Sequence, residues 1–263
     1  MGQNIVVILT DQERDSGAFE SGGMASFREG CLPARSRLFS EGIRFSQHRV
    51  STSACVPSRV SLFTGYSPWQ HGVMQTDGFA KYHDDPDLNW LPPKKLPTLG
   101  HRFQAHGWES VYFGKWHLSY ANLHNQKGDV LSADEIAAYQ AANPLAAYGF
   151  NEWTGPEPHG ADIKNSGLFR DEGYVAQAQA WLRMRGQAAG EQPFLLIISL
   201  VNPHDIVFWP PWSLWQSKLL DLEGIPEIGE ADSQSSVPSG EPPVLGAYRK
   251  LYPSAYGPSS IVN

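Results

Sequence analysis

The heptapeptide FLLIISL, residues 194–200, is the stretch that decides the fold class. It is a continuous apolar run, and a run of this length is typical of a strand buried on both faces of a parallel sheet. NIVVILT, residues 4–10, has the same character, and SVYFG, residues 110–114, is a shorter run of the same kind. We therefore predict that these segments are buried strands of one sheet.

Helical patterns separate the predicted strands. LPTLGHRFQAHGW, residues 96–108, precedes the second strand, and YVAQAQAWLRMR, residues 174–185, precedes the third. In the later segment Val175, Ala178 and Leu182 share one helical face, and basic residues at its end suit the helix dipole. This alternation predicts an α/β fold with a mainly parallel sheet and helices on both faces.

Composition excludes several classes of protein. A chain of 263 residues with 41% hydrophobic content can bury a sizeable core. A net charge of -7 and a pI near 5.7 argue against a general partner of nucleic acid or anionic membranes. The chain shows no signal peptide and no apolar stretch long enough to span a bilayer. We therefore expect a cytoplasmic protein that binds neither nucleic acid nor membrane.

Polar side chains follow each predicted strand. Asp11 comes after the first strand, Lys115 and His117 after the second, and His204 after the third. Each alone could be a turn residue, a solvated charge or a loop histidine. Because ligands of open α/β sheets bind beyond the carboxyl ends of the strands, their shared position favours a site at one edge of the sheet.

Cys55 lies in STSACVPSRVSLFTG, residues 51–65, and several chemistries could use it. A phosphatase thiolate would need an arginine where Ser61 stands, so that interpretation fails on spacing. A hydrolase in which His117 or His204 activates the thiol stays open. We do not expect a disulfide with Cys31, because a cytoplasmic chain keeps its thiols reduced.

The segment CVPSR, residues 55–59, followed by VSLFTG, resembles the signature of the type I sulfatases, in which the cysteine is oxidised after translation to formylglycine. NIVVILTDQ, GKWHL and VNPHD resemble three further motifs of that family. The resemblance spans residues 4 to about 205 and implies the alkaline-phosphatase-like fold of the family, incomplete at its carboxyl-terminal end.

This resemblance implies hydrolysis of a small-molecule sulfate ester. One hydroxyl of a hydrated formylglycine attacks sulfur, and the other loses its proton when sulfate is expelled. A maturation enzyme that generates formylglycine is implied as a partner.

The resemblance also implies a role for each candidate site residue. The implied roles are metal binding by Asp11, Gln12 and the modified Cys55, orientation of formylglycine by Arg59, sulfate binding by Lys115 and His204, and proton transfer by His117. The implied metal is calcium, with manganese and magnesium as alternatives.

The sequence also departs from the family pattern. Asp11 is followed by Gln12, whereas the family often has two adjacent aspartates there, and choline-sulfatase-like and phosphonate-hydrolase-like branches share the Asp-Gln form. This form keeps open a hydrolase of phosphonate monoesters or phosphodiesters, and the incomplete carboxyl-terminal part keeps open a remnant without catalysis. Lys115 together with His117 favours sulfate esters.

Two regions are expected. Residues 1–209 correspond to the amino-terminal part of the catalytic core. Residues 210–263 are rich in proline, serine and acidic residues and form an excursion and the end of the same domain. They lack the segment that carries the family's second pair of metal ligands. We therefore expect a fragment, a truncated product or a chain completed by a partner, with weak activity when alone.

Overall fold

A parallel sheet organises the described part of the chain. The computed structural model describes residues 4–13, 26, 29–77, 81–120, 132–153, 166–186 and 192–204. Its strands are β1 (Ile5–Asp11), β2 (Glu109–Gly114) and β3 (Phe194–Pro203). Within these residues the sheet order is β1-β3-β2, and both pairings are parallel. The predicted α/β class and parallel sheet are therefore confirmed.

Helices lie between the strands along the chain. They are α1 (Pro33–Glu41), α2 (Cys55–Thr64), α3 (Pro68–His71), α4 (Leu99–Ala105), α5 (Ala133–Ala141), a 3₁₀ helix (Pro144–Tyr148) and α6 (Gly167–Arg185). Among the described residues, none of these helices combines the length and the apolar character that crossing a membrane requires.

The chain divides into two compact units. One contains Met1–Glu13 and Arg49–Phe208, and therefore the sheet, and the other contains Arg14–His48 and Trp209–Asn263, and therefore α1. The predicted excursion, residues 210–263, lies outside the described residues. A boundary near residue 209 stays a prediction.

Side chains of β3 alternate between the two faces of the sheet, as they do in any strand. Leu195 and Ile197 pack with α2, and we call this side the α2 face. Leu196 and Ile198 pack with α6, and we call this side the α6 face. The α2 face buries Val56, Val60, Phe63, Tyr112, Trp116 and Phe150, and the α6 face buries Val111, Phe113, Ala178 and Trp181. Helices thus lie on both faces, as predicted.

β1 departs from its prediction, because it is not buried on both faces. Val7 and Leu9 pack partly against the α2 face. Val6 and Ile8 lie toward the other side and are 48% and 57% exposed. Among the described helices, α6 packs over β3 and β2 rather than over this side of β1.

The buried face of α6 is also shifted from the predicted one. Tyr174, Ala178 and Trp181 are buried, while Leu182 is only partly covered. Trp181 packs edge-on against the ring of Phe194, with the ring centroids 5.0 Å apart. Large aromatic rings that meet edge to face outweigh smaller aliphatic contacts, which explains the shift.

Gly114 allows β2 to end against β3. Its φ is 97°, and an added Cβ would overlap the carbonyl oxygen of Ser199. Its own carbonyl accepts a hydrogen bond from the Trp153 indole at 2.9 Å. The close approach of β2 and β3 just before Lys115 therefore requires a glycine, which has no side chain, at position 114.

We predict that Gly114→Ala lowers the free energy of unfolding by about 3 kcal/mol, from left-handed backbone strain plus overpacking. Gly107→Ala is the matched control, because its φ is 79° and no described atom lies within 4 Å of the added Cβ. The control should lose only about 1 kcal/mol. Urea unfolding of both variants measures the difference, and equal losses would contradict the steric argument.

Candidate functional site

The carboxyl ends of the strands bring three predicted site residues together. Asp11 ends β1 and pairs with Pro203 of β3, and His204, the next residue, is near enough for its charge to act on Asp11. Lys115 follows β2, and its ammonium group donates a hydrogen bond to the Asp11 carboxylate in a buried ion pair. The predicted convergence at one edge of the sheet thus holds for these three residues.

Arg59 joins the same group from α2. Its Nη1 donates to the carbonyl oxygens of Lys115 at 2.9 Å and Trp116 at 3.4 Å, and to the Ser199 hydroxyl at 3.1 Å. Its Nη2 lies 3.9 Å from the Asp11 carboxylate. We call Asp11, Arg59 and Lys115 the buried charge cluster.

Cys55 is the first residue of α2. Arg59 lies one helical turn after it, and residues four apart share a helix face with their Cβ atoms about 5–6 Å apart. Anchoring of Arg59 in the buried charge cluster therefore brings Cys55 to the same region. Cys55 is a free, partly exposed thiol, and Cys31 is a free, exposed one.

Two predicted site residues have unusual backbone conformations. Gln12 has a φ of 58° and His117 has a φ of 54°, in the left-handed region that residues other than glycine seldom adopt. Gln12 is exposed directly after Asp11, and His117 is buried two residues after Lys115. Such conformations cluster at functional sites, where the surrounding structure holds them.

His117 contacts a residue that sequence reasoning missed. Its Nε2 lies 2.6 Å from Oδ1 of Asp77, and both side chains are buried. Trp90 packs against the imidazole with ring centroids 5.8 Å apart. Asp77 lies in an irregular segment after α3, away from any strand end, so no periodic pattern could have pointed to it.

Burial and charge set the protonation of these groups. Burial alone would raise the pKa of Asp11, but the charges of Lys115, Arg59 and His204 and the hydrogen bond from Lys115 lower it below its usual value. Burial lowers the pKa of His117 to about 4, against the opposing effect of Asp77. Asp11 is therefore a carboxylate and His117 a neutral imidazole near pH 7.

The oxygen donors fit part of a metal site. Asp11 supplies a buried carboxylate and Gln12 an amide oxygen, which suit a hard divalent cation. Across the described ranges, however, no group of three or more His, Cys, Asp or Glu side chains is arranged to hold a metal. The described residues therefore do not form a complete metal site.

Comparison with protein families identifies one match. The family model described as Sulfatase matches residues 3–216, which is most of the chain. The chain is 28% identical over 203 residues to an ulvan-active sulfatase of Formosa agariphila, covering 76% of this chain and 35% of that protein. It is 27% identical over 178 residues to a delta 4,5-hexuronate-2-O-sulfatase of Bacteroides thetaiotaomicron, covering 68% and 30%. The chain thus spans about a third of these relatives.

Solved structures agree on the fold. A sulfatase structure from Bacteroides fragilis has a TM-score of 0.53 at 22% identity, covering 88% of this chain and 51% of that one. A Bacteroides thetaiotaomicron structure, described in connection with the metabolism of multiple glycosaminoglycans, has a TM-score of 0.54 at 16% identity, covering 83% and 49%.

Burial of neutral His117 predicts a pH dependence of stability. Between pH 6.5 and about 4 the unfolded chain protonates this histidine and the folded chain does not, so acid favours unfolding. Lys115 and Arg59 oppose protonation in the folded state, and Asp77 favours it. Between pH 6.5 and 4 the free energy of unfolding of His117→Gln should therefore fall by less than that of the wild-type chain, the difference being up to about 3 kcal/mol.

Chemical denaturation at several pH values measures the effect. His106→Gln is the control, because His106 is exposed and lies outside the site. A His117→Gln variant that loses stability with acid as steeply as the wild-type chain would show that the histidine is not held neutral.

Proposed function

Because this chain belongs to the sulfatase family, we propose that it hydrolyses sulfate esters through a formylglycine made from Cys55. The observation that carries the proposal is the contact of Arg59 with Lys115 and Asp11, one helical turn from Cys55. It joins the residue to be modified to a cluster of buried charges at the carboxyl ends of the strands.

The charges of the site suit an anionic substrate. The chain carries a net charge of -7, yet Arg59, one helical turn from Cys55, and Lys115 supply two buried positive charges around the Asp11 carboxylate. The attraction between opposite charges is stronger in a buried site than in water, because the effective dielectric constant is lower there. We infer that Lys115 exchanges its bond to Asp11 for one to a sulfate oxygen, with His204 binding a second oxygen. Arg59 stays fixed and holds the start of α2.

His117 is the residue proposed to take the proton from the nucleophile. The neutral imidazole would accept the proton of the attacking hydroxyl. As the new oxygen–sulfur bond forms, the bond between sulfur and the ester oxygen would break, and that oxygen would take a proton from water and leave as the alcohol. A group that must accept a proton has to be unprotonated beforehand, which the lowered pKa of His117 provides. Formylglycine supplies the hydroxyl pair that Cys55 itself lacks.

A divalent metal is part of the proposal. Asp11 and Gln12, together with the modified Cys55, would hold it, and calcium suits oxygen donors of this kind. When bound, the metal adds positive charge next to the sulfate. Residues beyond the described ranges would have to complete its shell.

The relatives favour sulfate esters over the alternatives. The proteins reported above are named as sulfatases of ulvan and of a hexuronate 2-sulfate. We therefore propose a sulfated carbohydrate as the substrate class, within the broader class of small-molecule sulfate esters. Phosphonate or phosphodiester hydrolysis and a remnant without catalysis are not favoured.

Conversion of Cys55 to formylglycine is the first test. After co-expression with a formylglycine-generating enzyme, we expect the peptide that contains Cys55 to lose its thiol and to gain an aldehyde that reacts with a hydrazide. Mass spectrometry of the digested protein measures both changes. Cys31, an exposed thiol in the same chain, is the internal control and should remain alkylatable. A Cys55 thiol retained in every molecule would contradict the proposal.

A trapping experiment tests the reaction itself. Serine at position 55 can attack sulfur but cannot expel sulfate, because it lacks the second hydroxyl. We therefore expect Cys55→Ser, incubated with an aryl sulfate and calcium, to gain the mass of one SO₃ group on residue 55. The gain should disappear in the double variant that also carries Lys115→Ala, since sulfate binding is lost. No gain in Cys55→Ser, with no turnover by the matured protein, would overturn the assignment.

A further inference from the structure

We propose that Asp77 is a positioning residue for His117, which holds the imidazole proton on Nε2 and so leaves Nδ1 to accept the proton of the nucleophile. The inference rests on the proposed function, because it deepens the role given there to His117. Asp77 lies outside the sequence motifs described above, and its contact with His117 in the structure identifies it.

The tautomer follows from the chemistry of the contact. A carboxylate can only accept hydrogen bonds, so at 2.6 Å from Asp77 the Nε2 atom of His117 must be the donor. A neutral imidazole carries a single proton. With that proton on Nε2, the lone pair that can accept a proton lies on Nδ1.

Burial makes the contact selective. The side chains of His117 and Asp77 are only 11% and 4% exposed, so water cannot readily replace the carboxylate as the partner of Nε2. A donor and acceptor kept away from water form a stronger bond than the same pair at the surface. The short distance is typical of a hydrogen bond to a charged acceptor.

A simple ion pair is the competing interpretation. It would require His117 to be protonated in the resting protein. Burial disfavours the imidazolium, and so do the positive charges of Lys115 and Arg59, whereas Asp77 alone favours it. The neutral form therefore prevails near pH 7, and the contact sets a tautomer rather than a resting charge pair.

The ring is also held in orientation. Trp90 packs against it, with the ring centroids 5.8 Å apart. The backbone of His117 has a φ of 54°, in the left-handed region that residues other than glycine seldom adopt. Asp77 fixes the edge of the ring that bears Nε2. When Nδ1 takes a proton, the carboxylate stabilises the imidazolium that forms, as second partners of catalytic histidines do.

Nitrogen-15 NMR of the 263-residue chain, labelled at histidine, reports the tautomer without requiring turnover. We expect wild-type His117 at pH 7 to show protonated Nε2 and unprotonated Nδ1. Asp77→Ala should lose this single pattern, with the Nδ1 tautomer becoming detectable. Asp77→Asn, which keeps the shape of the side chain, should do the same, because its amide can turn either an oxygen or an NH₂ group to Nε2.

Asp84→Asn is the matched control, since Asp84 is an exposed carboxylate in the segment that follows. It should keep the wild-type pattern. Thermal melting establishes that each variant is folded, and the isosteric Asp77→Asn decides the result if Asp77→Ala does not fold. A wild-type proton on Nδ1, or an unchanged pattern in the folded Asp77 variants, would overturn the proposal.

Kinetics separate this inference from the proposed function. In matured protein that turns over a sulfate ester, Asp77→Asn should lower kcat about 100-fold and change KM by less than about threefold, because proton transfer rather than binding is impaired. Absence of turnover in the wild-type protein would count against the proposed function only. The tautomer would still decide whether Asp77 positions His117.

Discussion

The guanidinium group of Arg59 connects the helix that carries Cys55 to every strand of the described sheet. It contacts Asp11 at the end of β1, the carbonyl of Lys115 after β2 and the hydroxyl of Ser199 on β3. A buried guanidinium is tolerated only when its hydrogen-bonding groups find partners, so these strand ends and α2 constrain one another. The position of Cys55 follows from this constraint, because Cys55 and Arg59 share one helical face.

The apolar core and the buried charge cluster depend on the same strands. Alternate residues of β3 fill the α2 face and the α6 face, which fixes where the strands end. Because the strand ends are fixed, Lys115 and Asp11 are held in contact, although neither residue is part of the apolar core. The proposed exchange of Lys115 from Asp11 to a sulfate oxygen depends on this arrangement, since the surrounding core holds the other groups in place.

Sequence reasoning found the elements whose signals are local. Apolar runs located the strands within a few residues, and the position after each strand located Asp11, Lys115 and His204. Exposure of Val6 and Ile8 could not be predicted, because a continuous apolar run does not reveal which faces its neighbours cover. Asp77 was missed because its role arises from a contact across 40 residues of sequence, which no periodicity records. The roles of the individual site residues stay predictions.

The open side of β1 has a consequence for how the protein behaves in solution. IVVILTD carries its only charge at the last position, and within the described residues it is hydrogen-bonded to β3 along one edge. Among the described residues nothing pairs with the other edge of this apolar strand, and an unpaired apolar edge without lysine or proline is a template for pairing with another polypeptide. Concentrated preparations should therefore tend to self-associate through the first strand, and a lysine placed at Val6 or Ile8 would act as a gatekeeper against aggregation.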